Sequence, residues 1–343
     1  MTVYDQAEAI AHTLQVAQRV VVLQADNPDG DSLGSSLALE QILSDLGKEP
    51  YLYCGVDMPT YLRYLDGWDR VHNELPKQFD ASIIVDTSSL SLFENLERSG
   101  QRPWLASRSC IVIDHHAVES SIPFASIICN QPTAATGEVL YELSQQLDWP
   151  TNLQALKMLA ISILSDSLGL VSEATTARTI RIIAEIVDKG VSLAELDSVR
   201  RDTMRKSPEL VRYKGELLQR VEYFDNNRIA MITIPWAEIE RYSHAYNPSM
   251  LVIDDMRLTE GTDVAIAFKT YRGGRVTAKI RTNFGKTIAG ELAKHFNGGG
   301  HAYASGFKIT DGRTIEQIKQ ECITMASQLL DRLEKGKTDE TIQ

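Results

Sequence analysis

The sequence predicts an α/β protein: an N-terminal domain with a mainly parallel sheet flanked by helices, a helical linker, and a smaller α/β C-terminal domain with a mixed sheet. Three observations carry this. Short apolar runs at 20–23, 82–85 and 111–113 have the length and β-branched content of strands buried on both faces. Each leads into an acidic residue or turn, which puts polar groups at the C-terminal edge where open parallel sheets place their sites. Helical patterns separate these runs, and beyond residue 227 the pattern changes to short strands joined by turns.

Residues 5–18 have helical spacing, and Val20, Val21, Val22 and Leu23 form the first strand. The stretch Asn27-Pro28-Asp29-Gly30-Asp31 is turn chemistry. A helix over 32–46 follows, because Leu39, Ile42, Leu43 and Leu46 fall at i, i+3, i+4, i+7 and Gly47 stands at a C-cap position. Asp29 and Asp31 therefore lie between a strand end and a helix N-terminus. Residues 51–54 predict another strand, and 82–85, ending at Asp86, a stronger one. The run Ile111-Val112-Ile113 ends on Asp114-His115-His116. The apolar segment 158–164, too long and too poor in β-branched residues for a strand, reads as a buried helix leading to Asp166. Residues 177–222 are helical and more charged. Strands are expected at 229–234, 263–268 and 276–281, a helix at 287–296 leading into Gly298-Gly299-Gly300-His301, and a last helix at 314–333. The expected boundaries are 1–188, a linker at 189–224, a second domain at 225–333, and a disordered polar tail at 334–343.

Composition narrows the function. Of 343 residues, 43% are hydrophobic and 24% charged, as in ordinary soluble domains. No run approaches the ~20 apolar residues of a spanning helix, and the first residues lack a signal-peptide pattern, so the expectation is a cytoplasmic protein without a membrane partner. Cys54, Cys110, Cys129 and Cys322 show no CxxC spacing and read as reduced, mostly buried thiols. A net charge of -11 argues against binding long duplex DNA, which needs many basic contacts to phosphate.

Asp29, Asp31, Asp86, Asp114, His115, His116 and Asp166 mostly follow apolar segments, so they can converge on one sheet edge. Converging carboxylates repel one another and take up protons unless a cation neutralises them, so convergence implies metal. Carboxylate with imidazole and no thiolate suits Mn²⁺ or Mg²⁺. Two ions bridged by one carboxylate would form a clamp for displacement at phosphorus. In a regular strand neighbouring residues face opposite ways, so only one of His115 and His116 would be a ligand. Singly, each residue is ordinary: Asp29 and Asp31 suit any turn or cap, and Thr136 in the segment 133–138 suits an N-cap.

Taken together, Asn27-Pro28-Asp29-Gly30-Asp31, Val85-Asp86-Thr87, Asp114-His115-His116, Ser165-Asp166-Ser167 and Gly298-Gly299-Gly300-His301 resemble the successive motifs of the DHH phosphoesterase superfamily, in their usual order. The match is to the oligoribonuclease/3′-phosphoadenosine-5′-phosphate phosphatase branch with its DHH-associated C-terminal domain, over roughly residues 10–330. The resemblance implies that Asp31, Asp86, His115 and Asp166 hold one Mn²⁺, and that Asp29 and Asp86 hold a second. It implies that Asp114 orients an imidazole and that His116 faces the substrate phosphate. Arg281, Gly298, Gly299, Gly300 and His301, with Lys279 assisting, would hold substrate across the interdomain cleft. One departure stands out: the family's first motif opens with a histidine where this chain has Ala25. The second ion would then bind more weakly, with Asp26 or water filling the gap. The implied activity is hydrolysis of short oligoribonucleotides or linear dinucleotides. The alternatives are a 3′-phosphoadenosine-5′-phosphate phosphatase, a cyclic-dinucleotide phosphodiesterase, or a degenerate nucleotide-binding protein, and a homodimer stays open.

Overall fold

The computed structural model describes residues 3–116, 120–300 and 302–340, and the chain divides after Arg205 into two units. In the first, α1 (Ala7–Val16) leads into β1 (Arg19–Gln24), α2 (Gly30–Asp45), β2 (Glu49–Cys54), β3 (Val71–His72) and β4 (Ala81–Val85). Short helices α3 (Glu94–Arg98) and α4 (Arg102–Ala106) precede β5 (Ser109–Asp114) and β6 (Ile127–Asn130). The helices α5 (Thr136–Gln146), α6 (Leu153–Asp166), α7 (Ala177–Asp188) and α8 (Leu193–Thr203) complete it.

The six strands are all parallel, in the order β3-β2-β1-β4-β5-β6. Side-chain alternation explains the near-continuous apolar runs. Val20 and Val22 join the core beneath α2, α5 and α6, while Val21 and Leu23 pack on the other face with Phe93, Leu96 and Leu105. The strand order reverses direction between β1 and β4, the crevice where doubly wound sheets bind ligands. The acidic turn after β1 and Asp86 after β4 flank that crevice, and the residues after β5 lie one strand away. The weakly patterned β3 and β6 were not expected from the sequence.

The second unit contains α9 (Pro208–Leu218), β7 (Glu222–Phe224), β8 (Ile229–Ile234), α10 (Trp236–Tyr242), α11 (Ile253–Arg257), β9 (Val264–Thr270), β10 (Val276–Thr282), α12 (Ala289–His295), β11 (Gly299–Gly300), β12 (Ala304–Ile309) and α13 (Ile315–Glu340). Its mixed sheet has the order β11-β12-β10-β9-β8-β7, with β8 and β9 parallel and the other pairs antiparallel. One face packs on α12 and α13 through Ile266, Phe268, Ile280, Phe307 and Ile318. On the other face α9, α10 and α11 cover β8 and β9 through Leu217, Ile232, Ile239 and Met256. The β10–β12 half of that face is uncovered, and burial alternates along β10 accordingly.

Two expectations change. The stretch 189–224 is not one linker: Leu193 and Leu196 of α8 pack on the first core, whereas Leu210, Tyr213 and Leu217 of α9 belong to the second. The last helix does not stop at Leu333 but runs to Glu340, because its Lys- and Glu-containing end continues an established helix at little cost. All four cysteines are free and buried. Among the described residues no helix is long and apolar enough to cross a membrane.

Candidate active site

The turn after β1 sets the first part of the site. Asp29 is the N-cap of α2: its Oδ1 accepts from the amides of Asp31 and Ser32, each at 3.0 Å, and Ser32 Oγ accepts from the Asp29 amide at 2.9 Å. Asp31, in the first turn of α2, is fully buried. Its Oδ1 accepts from Ser162 Oγ at 2.5 Å and Ser35 Oγ at 3.0 Å, and its Oδ2 accepts from the Thr136 amide at 2.7 Å. The start of α5 thus supplies donors and a favourable dipole to a carboxylate that could not otherwise stay charged in the interior. Between the two acids, a Cβ on Gly30 would collide with Ser165 Oγ, so glycine lets the start of α2 meet the end of α6, whose last residue is Asp166.

Asp86 follows β4 with φ 60°, a left-handed conformation that non-glycine residues hold at a cost. Thr136 Oγ1 donates to Asp86 Oδ1 at 3.2 Å. Thr136 is therefore not the N-cap expected from the sequence. Ala135 occupies that position without a side-chain bond, because the first amide of α5 already has the Asp31 carboxylate as acceptor, and the threonine hydroxyl is released to Asp86.

After β5 the two histidines separate in role. His115 Nδ1 donates to the Thr133 carbonyl at 3.1 Å, so that in the neutral imidazole the lone pair sits on Nε2. That nitrogen is buried without a hydrogen-bond partner and faces Asp166 Oδ2 at 3.3 Å, Asp86 Oδ1 at 3.4 Å and Asp31 Oδ2 at 3.6 Å. Asp114, also buried, accepts from His116 Nδ1 at 2.7 Å and from the His115 amide at 2.8 Å, so the imidazole it orients is His116. His116 is half exposed. The regular strand ends at Asp114, so strict alternation does not apply beyond it, and the two rings lie 4.3 Å apart.

Among the described residues, two sets bring three donor atoms within 4.8 Å of one another: Asp31, His115 and Asp166, and Asp86, His115 and His116. Electrostatics point the same way. Burial, followed by mutual repulsion, raises the pKa of Asp31 and raises that of Asp86 well above the carboxylate range. Burial alone would lower that of His115, but the facing carboxylates outweigh it and push it up to about 11. A pocket that demands positive charge around an unpartnered imidazole nitrogen, with carboxylate and no thiolate, fits a hard or borderline divalent cation. Asp29 belongs to neither set. Asp26 does not fill in beside Ala25, because its Oδ2 accepts from the Asn95 amide at 2.7 Å at the start of α3 and its Oδ1 is buried against Gly55.

On the second unit, the uncovered half-face carries Lys269, Lys279, Arg281 and Lys308 around a concavity of ≈ 800 Å³ floored by Ala267, Ala304 and Gly306. Burial, then the neighbouring cation, depresses the pKa of Lys269 and of Lys279, so these charges crowd one another. Gly298, Gly299 and Gly300 form its rim. Gly300 has φ 134° and pairs with Ser305, and a Cβ on Gly298 would strike Gly306 and Phe307, whereas the space around Gly299 is open. Two of the three glycines are therefore demanded by packing. His301 lies outside the described residues. Tyr242 stacks on Tyr213 at 3.8 Å.

Two family descriptions match in this order: DHH family, N-terminal domain, over residues 19–164, and DHHA1 domain over residues 243–330. The chain belongs to the DHH family of phosphoesterases. Members of this family are metal-dependent, in line with the donor sets above. The DHH chain is similar to the bifunctional oligoribonuclease and PAP phosphatase NrnA of Bacillus subtilis, at 23% identity over 93% of this chain and 98% of that one. It is similar to the NrnA of Thermus thermophilus at 24% identity over 93% of this chain and 95% of that one. It also matches an A-adding tRNA nucleotidyltransferase of Aquifex aeolicus at 29% identity, covering 89% of this chain but spanning only 35% of that longer protein. A crystal structure of an exopolyphosphatase-related protein from Bacteroides fragilis shares the fold, with TM-score 0.81 at 20% identity over 96% of this chain and 99% of that one.

Within the DHH domain, the sequence did not point to the residues that hold the acids and His115 in place. Thr133, Ser35 and Ser162 act through one hydrogen bond each, and only Ser35, one helical turn after Asp31, carried a readable spacing.

Proposed function

We propose that this protein is a Mn²⁺-dependent phosphoesterase that hydrolyses short oligoribonucleotides or linear dinucleotides to mononucleotides in the cytoplasm. The observation that carries this reading is the buried, unpartnered His115 Nε2 ringed by carboxylate oxygens of Asp31, Asp86 and Asp166. These four residues would hold one ion, and Asp86 would share a second, weaker one with Asp29. A divalent ion held by these residues would supply a more acidic bound water and polarisation of a phosphoryl oxygen. The imidazole among the ligands favours Mn²⁺ over Mg²⁺. Thr133 keeps His115 in its metal-binding tautomer. Asp114 holds His116 by Nδ1, which leaves His116 Nε2 to donate a proton to the leaving oxygen.

The cationic half-face supports an anionic substrate. Arg281 offers a planar fork for phosphate, Lys279 a second charge, and Gly299 open backbone. Four cations on one face of a chain with net charge -11 suit a short ligand and not a long duplex. The printed activities of the Bacillus and Thermus relatives support the same class. The test is incubation with Mn²⁺ and 5′-phosphorylated di-, tri- and tetraribonucleotides, with products separated by chromatography. Mononucleotide release is expected. Turnover of 3′-phosphoadenosine-5′-phosphate alone would assign a monophosphatase, and turnover of none of these would overturn the reading.

A further inference from the structure

We infer that Tyr61 is the platform on which a nucleobase of the substrate stacks beside the metal centre, an assignment that rests on the nucleotide reading above. Tyr61 lies in the one-turn helix Thr60–Leu62, anchored by Leu62 and Leu65 in the first core. The residue is 60% exposed, yet its hydroxyl donates to the Pro28 carbonyl at 2.9 Å. Pro28 immediately precedes Asp29, and the phenol registers both burial and the Asp29 charge, each raising its pKa. Tyr61 is thus pinned at both ends beside the acidic turn while most of the residue stays exposed.

Comparison with Trp104 separates this from an ordinary surface aromatic. Trp104, at 37% exposure, already has Phe79 edge-on at 5.7 Å, the Arg108 guanidinium at 5.0 Å and an Nε1 hydrogen bond to the Pro76 carbonyl at 3.4 Å. Among the described residues no ring or cation stacks on Tyr61. A fixed aromatic with a free face loses little conformational freedom when a flat ligand lands on it. Every base has a π-face, so such a platform demands a base without selecting its identity.

The test compares binding of 5′-AMP and of ribose 5-phosphate, which carries the same phosphate without a base, to Mn²⁺-loaded wild type, Tyr61→Ala, Tyr61→Leu and Tyr61→Phe by calorimetry. Wild type is expected to prefer AMP. Tyr61→Ala and Tyr61→Leu should weaken AMP binding roughly 5- to 100-fold while leaving ribose 5-phosphate within about twofold, and Tyr61→Phe should stay near wild type. Bound Mn²⁺ should be unchanged in all four, and KM for a diadenylate should rise with kcat nearly constant. Should Tyr61→Ala fail to fold, the leucine variant decides. Equal weakening for both ligands, or no change in either, overturns the platform. Failure of the functional reading looks different: it is absence of oligonucleotide turnover in wild type, whatever the base preference.

Discussion

The two sides of the proposed metal centre are built to different standards. Around His115 two of the three facing carboxylates have neighbours that aim them, Ser35, Ser162 and the start of α5 on Asp31 and Thr136 on Asp86, and the Thr133 carbonyl aims the imidazole itself. On the Asp29 side, one carboxylate oxygen is committed to capping α2, the family histidine is Ala25, and Asp26 turns to α3. The difference teaches that an ion site is made by the groups behind its ligands as much as by the ligands, since a buried carboxylate without donors takes up a proton instead of a metal.

The comparison breaks most sharply at His115. His115→Ala should lower kcat/KM on a diadenylate by more than about 100-fold, because it removes a ligand where loss of a mere supporting group costs 10–100-fold. Retention of activity and of tightly bound Mn²⁺, measured by elemental analysis, would erase the distinction between the two sides. Thr136→Val comes next, with an expected loss of about 10- to 100-fold in metal affinity through Asp86. Asp29→Asn should act more weakly, about 10-fold or less, since asparagine keeps the cap and the His115 side stays intact. Conversely, Ala25→His should raise the Mn²⁺ stoichiometry towards two per chain. An unchanged stoichiometry would show that the missing imidazole is not what separates the two sides.

The smallest effect is a pH signature. In metal-free protein Asp31 and Asp86 have raised pKa values and His115 titrates at about 11, so the folded state holds more protons than the unfolded chain across neutral pH. Stability of the metal-free protein should therefore fall as pH rises above the ordinary carboxylate range, and for His115 between about 6.5 and about 11. The Mn²⁺ increment in melting temperature should grow over the same range, as protons cease to compete for the ligands. Melting curves with chelator and with Mn²⁺ check both signs.

Most of the first unit was legible because its strands are buried on both faces and read as unbroken apolar runs. β3 and β6, two and four residues at the sheet edges, carried too little pattern. The ligand candidates were legible because they sit where strands end. The roles of Thr133, Thr136 and Ser162 were not, since each depends on a contact far away in sequence, such as the 131 residues between Ser162 and Asp31. In the second unit, β11 and β12 were hidden by their glycine and alanine content, and the helix cover over half of one face is a matter of tertiary packing that no local pattern records.

The contact between Gly30 and Ser165 has a mechanical meaning. It is a hard stop with no clearance, setting the separation of the helix that starts beside Asp31 from the helix that ends at Asp166. Gly30→Ala would act as a shim one methyl thick, driven between the two helices that carry the proposed ligands Asp31 and Asp166, and the gauge of the proposed centre would widen.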